Sequence, residues 1–124
     1  MPVSVAQGQG FFRGQDYYRD VIALSEILGK AHAVRLICNG RNDQYWRGYM
    51  QKLLDLEAPY EGGLRRSMVN GFNAGFSTAS SEYQSCDSRA VAAEKSLAQD
   101  GKALTDQLVL GNIPNRTGRI EDFD

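Results

Sequence analysis

The chain has 124 residues, 42% of them hydrophobic and 23% charged, which suits one packed domain and is short for two. Its 14 basic and 15 acidic residues leave a formal net charge of -1. That balance argues against a general nucleic-acid or anionic-membrane surface, either of which needs clustered positive charge, and no apolar run approaches the roughly 20 residues that would span a bilayer.

Residues 1–15 carry Gly8, Gly10 and Gly14 and read as a loose lead-in, with Phe11 and Phe12 as candidates to dock on the core. The first helix is expected to start near Gln15-Asp16, with Asp16 as its N-cap. Tyr17, Val21, Leu24, Leu28, Ala31 and Cys38 recur at helical spacing, widened by Ile27 and Val34, and describe a one-faced amphipathic helix of about six turns. Asn39-Gly40 ends it, as a glycine past a helix terminus should.

Asn42 or Asp43 caps a second helix whose expected buried face is Tyr45, Trp46, Tyr49, Met50, Leu53 and Leu56. Pro59 stops it, because the residue before a proline avoids helical geometry. A third helix covers Leu64 to Tyr83, with the stripe Leu64, Met68, Phe72, Phe76, Ala79 and Tyr83 continuing to Cys86. Gly71 and Gly75 lie beside that stripe. Each costs roughly 1 kcal/mol against alanine in a helix, and their placement predicts close approach of a neighbouring backbone. A fourth, alanine-rich helix begins after Asp87 or Ser88, uses Ala90, Ala93, Leu97, Leu104 and Leu108, and ends at Gly111-Asn112 before Pro114.

The pattern therefore predicts an all-α protein, a four-helix up-down-up-down bundle over residues 16–111, followed by a tail at 112–124. The acidic end of that tail, Glu121-Asp122-Phe123-Asp124, reads as a frayed terminus or a docking peptide. In the predicted topology the first and third helices end together, so Cys38 and Cys86 meet, and a disulfide is favoured over two buried thiols. Closing that loop would contribute about 4 kcal/mol in the chain-entropy treatment. A bridge implies an oxidising compartment. No signal peptide is visible at the start, so export would mean one has been removed.

Few residues offer chemistry. His32, the one histidine, lies at the edge of the first helix's apolar face. It reads either as a half-buried residue with one hydrogen bond or as a general base, with no recognisable nucleophile beside it. Arg35 occupies a core-facing position where leucine is expected, near the level of Trp46 and Tyr83. It must pack on Trp46 and find hydrogen bonds, or form an anion site together with Arg41, Arg47 and Asn39. Asp55, Glu57, Arg65 and Arg66 read as helix-end or solvated charges. Two cysteines are too few for a cysteine-only zinc site, and neither a metal nor a cofactor is implied.

The segments SEILGKAHAVRLICNG, WRGYMQKLLDLEAP and FNAGFSTASSEYQSC resemble a small, exported, functionally uncharacterised family of alphaproteobacterial envelope proteins, over about residues 17–108. The resemblance implies a periplasmic location after removal of a signal peptide, and a paired Cys38 and Cys86. It brings no substrate, cofactor or catalytic residue. The expectation is a monomeric or weakly oligomeric, non-catalytic periplasmic protein that binds another envelope protein through Arg35, Arg41, Trp46 and Arg47, without nucleic acid and without spanning the membrane. The alternatives are a small hydrolase pairing His32 with a carboxylate, or a binder of anionic cell-wall fragments at Arg35.

Overall fold

The computed structural model describes residues 14–111. The expected lead-in, with Phe11 and Phe12, and the acidic tail lie outside the described residues. Among these residues four helices follow one another: α1 (Gln15–Asn39), α2 (Tyr45–Glu57), α3 (Gly63–Glu82) and α4 (Ser88–Gly111). Cross-helix contacts fix an up-down-up-down order. Tyr17 of α1 meets Glu57 at the end of α2, and Asp20 meets Gln107 late in α4 while Arg35 meets Glu94 early in it. Gly71 beside Ile22 and Gly75 beside Glu26 set α1 and α3 side by side in the same direction.

The helices do not share the core equally. α1 packs on all three others, most extensively on α3, whereas α2 barely touches α3 and neither of them packs closely on α4. α1 is consequently buried well beyond one stripe. Ser25, Gly29, His32 and Ala33 are buried along with Val21, Leu24, Leu28, Ala31 and Val34, which corrects the one-faced expectation. Small residues leave no hydrophobic signal on the extra faces, yet they are what lets neighbours close in. A Cβ on Gly29 would overlap the Phe72 carbonyl, and one on Gly75 would overlap the Glu26 carbonyl. Gly71 is close but less tight, its Cβ position 3.3 Å from Glu26 Cγ and 3.4 Å from the Ile22 carbonyl oxygen. The expected close backbone approach at Gly71 and Gly75 is present, with Gly29 as its counterpart on α1.

The main core joins Tyr17, Leu24 and Leu28 of α1 to Trp46, Met50, Leu53 and Leu54 of α2, Met68 of α3 and Leu108 of α4. Leu54 is buried more deeply than the expected Leu56, and Tyr45 is 42% exposed. A smaller cluster of Ala33, Val34, Ala79 and Ala90 lies under the disulfide end, with Cys38, Phe76 and Tyr83 packed on it.

Helix ends follow local chemistry. Gly14, not Asp16, is the N-cap of α1. Asp16 sits in the first turn, where its charge favours the helix dipole, and pairs with Arg19 at 3.3 Å. Gly40 ends α1 at φ 105°, a conformation that glycine adopts without steric penalty. The Asp43 carboxylate accepts the Tyr45 N–H at 3.0 Å to start α2, and Asp87 accepts the Ala90 N–H at 3.0 Å to start α4. The connection between α3 and α4 holds Cys86, exposed and beyond the end of α3, not on its stripe as expected. Cys86 is bonded to Cys38 in the last turn of α1, with the Cα atoms 4.8 Å apart.

Candidate functional site

Two places concentrate polar groups at helix junctions. The first is the disulfide end. Arg35 donates from Nε to Asp43 at 2.9 Å and from Nη1 to Glu94 at 3.1 Å, and its guanidinium lies 4.6 Å from the Tyr45 ring centre. The Trp46 indole N–H donates to the same Glu94 oxygen at 2.8 Å. Burial alone would raise the Asp43 pKa. The Tyr45 N–H, Arg35 and Asn39 outweigh it and hold the carboxyl below its ordinary range. The hydrogen bond to Asp43 raises the Arg35 pKa further, against the opposing effect of burial.

Arg35 and Trp46 are thus brought together, as members of a satisfied network closed by two carboxylates, and Arg35 has its hydrogen bonds supplied from within the fold. Glu94 is the residue that sequence reasoning missed here. It lies 59 residues from Arg35, on a helix face with nothing to distinguish it from an ordinary solvated acid. Arg41 is exposed in the α1–α2 turn, and Arg47 is exposed on α2 at a different feature.

That feature is the second place, a groove of about 430 Å³ between α2 and α3. It exists because both helices pack on α1 and scarcely on each other. Its apolar surface comes from Met50 and Leu54 on α2 and from Val69, Phe72 and Phe76 on α3. His32 of α1 lies at its floor, 5% exposed, with its ring 5.7 Å from Phe72 and 5.5 Å from Phe76, centre to centre. The His32 Nδ1 is buried and has no hydrogen-bond partner among the described residues, contrary to the expectation of one satisfied bond. Desolvation, followed by the positive field of Arg47, lowers its pKa from 6.5, and Asp43 opposes only part of this.

Arg47 and Arg65 also line the groove, with Gln51 and Asn73. Arg65 donates to the Ala58 carbonyl at 2.8 Å, which fixes its stem. Neither arginine makes an ion pair among the described residues. Arg65 was expected to be a solvated charge, and only the third dimension shows it facing the groove. Glu57, likewise expected at a solvated helix end, is buried and accepts a hydrogen bond from the Tyr17 hydroxyl. Among the described residues no carboxylate or hydroxyl side chain lines the groove around His32. The acid–base pair that a hydrolase reading requires is not assembled among the described residues.

Among the described residues no cluster of three or more histidine, cysteine or acidic side chains could hold a metal, and no helix is long and apolar enough to cross a membrane. Neither a curated protein nor a solved structure matches the chain. A family model matches residues 16–110, which take in nearly all of the four described helices and both disulfide cysteines, and on that evidence the chain belongs to the family of proteins of unknown function designated DUF2385.

Proposed function

We propose that this is a non-catalytic protein of the periplasm that acts by binding another cell-envelope protein, and that the groove between α2 and α3 is its contact surface. One observation carries the reading. Among the described residues the groove presents an apolar floor with an unpartnered imidazole nitrogen and two arginines lacking carboxylate partners, and it assembles no acid–base pair. Buried polar groups in proteins are nearly always satisfied, so a site of this kind points to a group supplied from outside. The disulfide supports an oxidising compartment, and the resemblance to exported envelope proteins favours the periplasm as that compartment. Of the residues first singled out for binding, Arg47 is the one that serves this surface. Arg35 and Trp46 hold α1, α2 and α4 together behind it.

The test places a photoreactive benzophenone side chain at Val69, on the groove wall, in the full chain within its native envelope. The expected result is one discrete protein adduct that is lost when Arg47→Glu is added and absent when the probe sits at Val91 on α4. Equal labelling at Val69 and Val91, or none, overturns the reading. The same two arginines support a second reading, an anionic cell-wall fragment in the groove. Calorimetric titration with a soluble muropeptide distinguishes it, since heat of binding that depends on Arg47 would appear with no protein partner present.

A further inference from the structure

The groove has a shape and a charge pattern that specify its occupant further, and the inference rests on the binding role proposed above. Its walls are single faces of two helices. On α2, Arg47, Met50 and Leu54 follow one another at helical spacing, and on α3 Arg65, Val69, Phe72 and Phe76 do the same. At 1.5 Å per residue these runs are about 10 and about 16 Å long. α2 and α3 run in opposite directions, and each arginine stands in the first turn of its own helix. Arg47 and Arg65 therefore mark opposite ends of the groove, on opposite walls, with apolar side chains between them.

We infer that the groove takes one amphipathic helix of the partner protein, about two to three turns long, with an apolar stripe along its centre and a carboxylate near each end. Three observations argue for it. Two helices held apart over a shared third helix leave the space in which a further helix packs, and a helix laid in an apolar groove is a recurrent recognition mode. The charge is positive at both ends and no acid lines the groove among the described residues, so an acidic segment is attracted and a basic one repelled. The His32 ring adds one hydrogen-bonding group to an apolar floor, and a single polar position in an apolar seam is a device for fixing register. The stripe is therefore expected to carry one polar side chain where it crosses His32.

The test is a titration of the full chain, followed by amide chemical shifts, with a synthetic helix of about three turns carrying a Leu/Phe stripe and a Glu at each end. A second peptide carries Lys in place of both Glu residues. The acidic peptide is expected to bind about tenfold more tightly than the basic one, a difference typical of one or two well-placed charge contacts, with shifts confined to α2, α3 and His32. Arg47 is exposed, so Arg47→Glu is expected to leave the fold intact. It should reverse the preference at its own end, so that a peptide with one Lys there regains binding. Equal affinities, shifts on other faces, or no rescue by the charge-swapped peptide overturn the inference. So does self-association that covers the groove, which would make a second copy the occupant. Sequencing the adduct captured at Val69 separates this inference from the reading beneath it. An acidic amphipathic helix in the adduct supports both, whereas a captured partner with a basic or non-helical segment leaves the binding role standing and sinks the proposed occupant.

Discussion

Gly29 and Gly75 show how much a missing side chain can decide. In isolation each weakens its helix by roughly 1 kcal/mol relative to alanine. In the fold each makes room for a carbonyl of the facing helix. Gly75→Ala and Gly29→Ala are therefore expected to destabilise by about 1–3 kcal/mol, the usual cost of overpacking, despite the better helix former. Gly48, on an exposed face of α2 with nothing within 4 Å of a Cβ, should gain up to about 1 kcal/mol on the same change. Urea unfolding of the three variants checks both signs. If Gly75→Ala stabilised the protein as Gly48→Ala should, the close α1–α3 contact would be refuted. His32 makes a second residue-scale prediction. Its folded pKa lies below 6.5, so the unfolded chain takes up the proton first. Its contribution is neutral to folding well above 6.5, and stability declines as the pH falls from 6.5 toward the folded pKa, below which the loss is complete. His32→Phe should flatten that part of the stability–pH curve, and an unchanged slope would show that the ring titrates normally.

At the scale of elements, α1 is the axis on which the others are hung, and α4 is tied to it by polar contacts as well as by packing. Glu94 serves Arg35 and Trp46 at once, so its removal leaves two donors in a half-buried junction. Glu94→Ala is expected to cost about 1–3 kcal/mol. Arg35→Met should cost less when Glu94→Leu is already in place than in the unaltered protein, since the charge pair it would break is then absent. A double-mutant cycle measured by thermal unfolding decides it, and full additivity would mean the pair is uncoupled. The helices themselves were legible in the sequence because apolar spacing, Gly40, Pro59 and Asp87 are local signals. Arg35 was legible as an anomaly, a charge on a core stripe, but its partner was not, because an acid on an exposed-looking face of α4 carries no mark of what it will meet. The groove was illegible for a related reason. It results from how far apart α2 and α3 sit, which is set by what each packs on and not by either helix's own pattern. His32 and Arg65 could be named from sequence but not placed on one groove.

The whole molecule depends on one covalent link between the end of α1 and the connection that leads into α4. α3 and α4 scarcely pack on each other, so their shared turn is held by what it touches on α1. The smaller cluster of Ala33, Val34, Ala79 and Ala90 beneath the bridge is built mainly from small side chains, and at about 25 cal/mol per Å² of buried apolar surface such residues contribute little each. The bridge spans 48 residues and in the chain-entropy treatment is worth about 4 kcal/mol, a large share of a typical net stability of 5–15 kcal/mol. Paired Cys38→Ser and Cys86→Ser changes should therefore lower the unfolding midpoint by many degrees. The loss should begin locally, with amide exchange rising first in residues 83–90 and the last turn of α1, while the α1–α2–α3 core around Leu28, Met50 and Met68 stays protected. Hydrogen exchange on the oxidised and serine forms measures this directly. Uniform loss of protection throughout would mean that the disulfide end and the main core unfold as one unit. The local outcome would mean that the groove, built on the main core, survives reduction, and that partner binding and the redox state of the compartment are separable.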